Sequence, residues 1–261
     1  MSEDAIYVAA SGALVQEARL QVLSNNLANI NTIGFKEDRA VFSNYFRDDM
    51  NESAEDQNGL LISEDLETLF PYRLSNNQVK FEGTRTSFEQ GQIRQTGNFL
   101  DFAISGKGFF CVESSDGDLK YTRKGNFTRN EEGSLVTQDG FVVLGHNGRG
   151  INVEGNIISV DAEGNISVDG FEENRFKIVE FDDPHALVKT GDTLFTTANP
   201  LVSAREGENF QIQQGAIELS NVNPIKVMTD MIEVHRAFES YQKIIKAMDE
   251  TVSGSLNEIG R

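Results

Sequence analysis

The side chains through which this chain could do chemistry are three histidines, one cysteine and 41 acidic residues among 261. A histidine-based metal centre needs ligands at short recurring spacings, and His146, His185 and His235 have none. His235 directly follows the apolar Val234 and reads as a helix flank or interface residue. The stretch Asp161-Ala162-Glu163-Gly164-Asn165 places oxygen ligands at alternate positions, with Glu172 twelfth, as a calcium loop does. Ile166, however, stands where that loop requires glycine, and strand-like rather than helical sequence flanks it. Carboxylate pairs abound in so acidic a chain, and spacing alone singles out no acid–base pair. Gly106-Lys107-Gly108 lacks the spacing of a phosphate-binding loop and reads as a turn between strands. Cys111 follows Phe109 and Phe110 and reads as a small buried apolar residue; as the only cysteine it excludes an intrachain disulfide. No catalytic, cofactor or metal residue is expected, and the chain reads as a non-enzyme.

The other chemistry on offer is amide hydrogen bonding. Asn25, Asn26, Asn29 and Asn31 fall within seven residues, inside the stretch Ser24 to Lys36. Asparagine is a poor interior helix residue because its amide competes for backbone groups. Near a helix end it helps, and Gly34 can take the left-handed conformation that closes such a turn. Two readings stand: a well-capped helix end, or amides of Asn25, Asn26 and Asn29 that bond neighbouring subunits.

Long helices must position these groups. In the C-terminal part, Met231, Phe238, Ile245, Val252 and Ile259 are seven apart, and Val234, Tyr241 and Met248 form a second row offset by three. Two apolar rows with this offset and repeat make a coiled-coil seam. Asn223 can cap the start, and Pro224 suits the first helical position, where its missing donor costs nothing. A helix from Pro224 to Ile259 extends roughly 54 Å at about 1.5 Å per residue. At the other end, Ile6, Ala13, Leu20 and Leu27 form one row, and Ala9, Leu23 and Ile30 the other, with Gln16 as its polar break. This first helix is expected from about Asp4, as cap, to Asn29. Either helix alone would suit packing on an ordinary core; seams at both ends favour pairing with each other and with further copies.

Charge follows the same division. Residues 1–36 hold three acids and two bases, and 222–261 six and five, so most of the net −18 lies between them. Near-neutral ends suit an association surface, and an acidic middle suits a solvated one. A strongly acidic chain is a poor partner for nucleic acid, whose phosphates select Lys and Arg. No apolar run reaches the ~18 residues of a membrane span. Ser2-Glu3-Asp4 is acidic where a secretory signal is basic, so a cytoplasmic location or export by a dedicated machine is expected.

Between the ends, residues 37–80 read as a connector. Glu37 to Phe46 suits a short helix or strand, Arg47 to Leu60 is polar and mobile, and Leu66 to Leu74 breaks at Pro71. From Phe81 to Phe210 the chain reads as β-rich. Phe99 to Ile104, Phe109 to Val112, Ile157 to Val160 and Ile166 to Val168 are strand-like. Asp116-Gly117, Asp139-Gly140 and Asp169-Gly170 are hairpin dipeptides. The expected class is α+β: helices 1–36 and 221–261 form a coiled-coil-like stem, and residues 81–220 an inserted antiparallel β domain with its return segment.

Three ordered stretches resemble the axial proteins of the bacterial flagellum, the rod and hook family. They are Ser24 to Lys36; then Thr96-Gly97-Asn98-Phe99-Leu100-Asp101-Phe102-Ala103-Ile104, Gly106 to Phe110, Tyr121-Thr122-Arg123 and Gly125-Asn126-Phe127; and Ser220-Asn221-Val222 with Asp230 to Glu239 and Lys243. Length and the opening Ile6 to Gly12 are most similar to proximal-rod members, with distal-rod members second. His235 and Tyr241 stand where many distal-rod members have Gln and Asn. The resemblance implies a structural subunit of the periplasmic rod, exported by the flagellar export apparatus without a cleavable signal. Its implied partners are copies of itself and neighbouring rod proteins. A periplasmic glycan-binding or wall-degrading protein on a helical oligomerisation stem is the alternative from another class; the absence of Trp counts against it.

Overall fold

The computed structural model describes residues 2–45, 78–191, 193–197 and 204–259. Two compact units divide the chain. One gathers Met1–Ser24, Ala40–Thr84 and Met228–Arg261, the other Asn25–Arg39 and Arg85–Val227.

The first unit is built on two helices, α1 (Ser2–Ala28) and α2 (Pro224–Ile259). The start of α2 is as expected: the Asn223 Oδ1 accepts from the backbone N–H groups of Ile225 (3.1 Å) and Lys226 (3.2 Å), and Pro224 is the first helical residue. The start of α1 is not, because the helix already runs at Ser2 and Asp4 lies inside its first turn. Gly12 lies against the Tyr241 ring, so close that a Cβ there would sit 2.6 Å from the ring carbons. Further along, Gln16 and Arg19 share a cavity of about 200 Å³ with Asp230, Glu233, Val234 and Ala237. As numbers rise along α1, its neighbours on α2 fall. The connector begins as a strand, β1 (Asp38–Tyr45), paired with β2 (Gln78–Thr86), and the Phe42 and Phe81 rings lie 5.6 Å apart. The stretches Arg47 to Leu60 and Leu66 to Leu74 lie outside the described residues.

The second unit is the antiparallel β region. It uses β3 (Ile93–Gln95), β4 (Phe102–Gly106), β5 (Phe109–Glu113), β6 (Leu119–Thr122) and shorter strands reaching Ala216–Glu218. Among the described residues the largest sheet has nine strands, with β5 paired to β6, to Val142–Val143 and to Ile178–Glu180. The β5 residues Phe110 and Val112 face one core with Phe102, Phe127 and Phe176, while Phe109 and Cys111 face another with Phe181 and Phe195. A strand buried on both faces reads as a continuous apolar run, which is the form of Phe109-Phe110-Cys111-Val112. The Phe110 ring lies 5.1 Å from Phe127 and 5.4 Å from Phe176, edge-on to both, an arrangement that aromatic quadrupoles favour.

The hairpin dipeptides perform as expected. Asp169 (φ 52°) and Gly170 (φ 88°) both take positive φ between Asn165–Val168 and Phe171–Arg175, as a type I′ turn requires. Asp161 is a turn residue too. Its carboxylate accepts from the Asn165 backbone N–H (2.8 Å) and side-chain amide (2.7 Å), closing the hairpin between Ile158–Val160 and Asn165–Val168. Gly106-Lys107-Gly108 connects β4 to β5, which belong to different sheets. Cys111 is buried, and desolvation pushes its thiol up to about 12.

Candidate assembly site

The heptad rows are covered in part within the chain. Ala9 and Val234 are buried, and Ile6, Ala13, Leu20, Leu23, Leu27, Met231, Phe238, Tyr241, Ile245 and Met248 are half-buried. Val252 and Ile259 lie within α2, but their side chains fall outside the described residues. The polar break Gln16 is half-buried, and its side-chain oxygen has no hydrogen-bond partner among the described residues. His235 is on the exposed flank of α2, 3.4 Å from Glu239 one turn on.

The Asn-rich turn divides its work. Asn29 finishes α1: its backbone N–H and its side-chain amide both donate to the Asn25 carbonyl, at 3.1 and 2.9 Å, and Thr32 donates to its Oδ1 at 3.1 Å. Asn26 is buried, and both ends of its amide are used inside the chain. Its Nδ2 donates to the Asp38 carbonyl at 2.7 Å, and its Oδ1 accepts the Asp38 N–H at 2.9 Å. Within the chain Asn26 pairs the start of β1 to the helix end as a neighbouring strand would. Asn25 is exposed, with no side-chain hydrogen bond among the described residues. It lines a cavity of about 370 Å³ with Asn29, Thr32, Phe35, Lys124 and Lys189. The Lys189 ammonium is 4.3 Å from the centre of the Phe35 ring and 2.7 Å from the Asp38 carboxylate. Burial holds it below the usual lysine range, against the pull of Asp38.

Gly34 has φ 70°, and a Cβ there would sit 2.5 Å from the Lys124 backbone nitrogen. Its left-handed conformation was legible in the sequence; its partner was not. The Gly34 N–H donates to the Glu218 carbonyl at 2.8 Å, so this turn binds the chain that leads to α2. Beside it lies a buried ionic cluster that the sequence reading missed. The Glu218 carboxylate is fully buried; it accepts Lys36 Nζ at 2.6 Å and the Gly91 N–H at 2.9 Å on one oxygen, and Arg123 at 3.2 Å on the other. Arg123 also donates to the carbonyls of Ile104 (3.3 Å) and Gly106 (2.8 Å), and Lys36 to that of Glu89 (2.7 Å). Desolvation lowers both cations from their ordinary range, and Glu218 opposes the fall. Asn221 completes the junction: its Oδ1 accepts the Glu37 N–H at 2.7 Å, and its Nδ2 donates to the carbonyls of Ser87 (3.0 Å) and Glu89 (3.1 Å). The one available hint was a lone glutamate in the apolar run Ala216-Ile217-Glu218-Leu219.

This junction draws together segments that match known proteins separately. Residues 6–36 match the family described as flagella basal body rod protein. Residues 103–168 match the flagellar hook protein FlgE/F/G D1 domain, and 213–258 the flagellar basal body rod FlgEFG protein C-terminal. Lys36, Arg123 and Glu218 supply one charged group from each matched segment. Whole-length relatives agree. The basal-body rod protein FlgF of Caulobacter vibrioides is 34% identical, covering 99% of this chain and 98% of its own. The basal-body rod protein FlgG of Agrobacterium fabrum is 31% identical over 95% and 97%, and that of Bacillus subtilis 30% over 97% of each. With relatives this similar over nearly its whole length, the chain belongs to the flagellar basal-body rod protein family.

Proposed function

We propose that this chain is a non-enzymatic structural subunit of the proximal rod, the periplasmic part of the flagellar drive shaft. Residues 1–36 and 221–261 form a coiled-coil-like axial core, 37–80 a connector, and 81–220 an outer β domain. The interface residues are Ile6, Ala13, Leu20, Leu23, Leu27, Met231, Val234, Phe238, Tyr241, Ile245, Met248, Val252 and Ile259 along the seam, with Asn25, Asn26, Asn29 and Gly34 at the turn. Partners are further copies, neighbouring rod proteins and the flagellar export apparatus. The observation that carries the reading is that two helices with heptad rows leave most of those rows only half-covered within one copy. Sliding interlocked helices apart would expose the whole stripe at once, which is how such a stem carries torque. The proximal assignment is supported by the FlgF relative, at 34% identity over 99% of the chain; a distal-rod subunit is the second reading, supported by the FlgG relatives.

Phe238→Asp tests the seam by placing an unpaired charge in an apolar contact. Sedimentation of the concentrated chain is expected to show assembly lost and the near-ultraviolet signature of the β domain retained. Glu239→Ala, off the seam rows, is expected to assemble as the parent does. Equal assembly of both variants would refute the register.

A further inference from the structure

The sequence holds two Asn-Gly pairs, Asn58-Gly59 and Asn147-Gly148, and only the second falls among the described residues. Asn147 and Gly148 are exposed at the tip of a turn in the β unit. The Gly148 N–H donates to the Gly145 carbonyl at 2.9 Å, the Gly145 N–H donates to that of Arg149 at 2.8 Å, and Leu144 pairs with Gly150 at the base of the turn. Gly148 has φ 74°, and a Cβ there would meet nothing within 4 Å. The side-chain carbonyl of Asn147 is held from two sides: its Oδ1 accepts the Arg149 N–H at 2.9 Å and the Asn174 side-chain amide at 3.2 Å.

We infer that Asn147 is a site of spontaneous covalent modification, at which its side-chain amide is lost and an aspartyl or isoaspartyl residue is left. The Gly148 nitrogen attacks the Asn147 Cγ. The new Cγ–N bond forms, the Cγ–Nδ2 bond breaks, and ammonia leaves with the proton given up by the Gly148 nitrogen. Water then adds to either carbonyl carbon of the resulting succinimide ring and breaks that carbon's bond to nitrogen. A side chain on the residue after the asparagine would crowd this ring, and glycine has none. Donors on the Asn147 Oδ1 draw charge from Cγ and stabilise the oxyanion that forms there during attack, as donors in an oxyanion hole do. Exposure supplies the water of the second step, and water replaces Gly145 as partner of the freed backbone groups. The exposed Asn156 and Asn209 lack the first of these features, since Ile157 and Phe210 follow them. The isoaspartyl product routes the main chain through the former side chain, which lengthens the turn between Leu144 and Gly150 by one methylene and adds a carboxylate beside Asn174. Old and new chains would differ at this turn.

The full-length chain, held folded at mildly alkaline pH, is digested at intervals and mapped by mass spectrometry, with isoaspartate read by a methyltransferase that labels it. The peptide carrying Asn147 is expected to gain the mass of an amide turned to an acid before those carrying Asn156 or Asn209, and to become a methyl acceptor. Asn147→Gln is expected to abolish both signals at this position and to leave those of Asn58-Gly59, the internal reference, in place. An Asn147 that keeps its amide while Asn58 loses its own would overturn the inference, because the bond from Gly148 to Gly145 would then lock the turn. Conversion at Asn147 no earlier than at Asn156 or Asn209 would overturn it as well.

Discussion

The two units bury apolar surface in opposite ways. In the β region Phe102, Phe110, Phe127 and Phe176 are at most 4% exposed and close a core within one copy. On the helices, Ala9 and Val234 are buried, the other described heptad residues are half-covered, and Tyr7, Leu14, Met228 and Ile232 are largely exposed. Apolar burial is the main favourable term in folding and in association alike. A unit that completes its burial alone is a finished domain, while one that leaves stripes open gains the rest from partners. Charge is divided along the same line: most of the net −18 lies in the middle of the chain, and the helical ends are nearly neutral.

The largest expected effect falls on the junction. Glu218→Gln keeps the shape but leaves Lys36 and Arg123 as two buried cations without a counter-charge. A loss of about 3–5 kcal/mol is expected from urea unfolding of the isolated chain. Parent-like stability would mean that the cluster is open to water and that the β unit is less closed than its burial implies.

Closure of the β core also has a pH signature. Burial raises the Cys111 thiol from 9.0 to about 12. Its contribution to stability is therefore fully present below pH 9.0 and declines between pH 9.0 and about 12, as the unfolded thiol ionises while the folded one holds its proton. The decline amounts to about 1.4 kcal/mol per pH unit. Cys111→Ala is expected to remove that part of the alkaline slope; identical slopes for variant and parent, by urea unfolding from pH 8 to 11, would show that solvent reaches the thiol.

The Asn-rich turn gives the sharper pair. Asn26→Ala strands both backbone groups of Asp38, at an expected cost of about 1–3 kcal/mol in the monomer. Asn25→Ala is expected to change monomer stability by less than about 0.5 kcal/mol, as an exposed surface substitution does, and to weaken assembly where Asn26→Ala weakens the fold. Thermal unfolding of the monomer separates them, and equal melting points would erase the distinction.

Much of this was readable from the chain alone because it is local and periodic. The sevenfold rows from Met231 and from Ile6 mark two helices, Asn223-Pro224 marks where the second begins, and Asp169-Gly170 marks a hairpin. Each is a preference of neighbouring residues for one backbone geometry, and it survives whatever packs around it. The doubly buried β5 was legible for the same reason, as an unbroken apolar run. The Asn cluster was legible as a helix end but not in its division of labour. Asn25 and Asn26 are one residue apart, and 100° of helical rotation turns one amide to solvent and the other into the chain.

Pairings between distant residues were decided only by the tertiary structure. Glu218 meets Lys36 across 182 positions and Arg123 across 95. Phe210–Gln214 returns to pair with β4, and Asn221 holds Glu37 and Ser87 together. A carboxylate, an ammonium and a guanidinium carry no period that names their partners, and on composition each belongs at the surface. What places them inside is that they neutralise one another there. The sequence by itself determined that both ends are seam-bearing helices around a β region. Only the folded chain decided that Lys36, Arg123 and Glu218 meet, because a buried charge is tolerable only where its partners already stand.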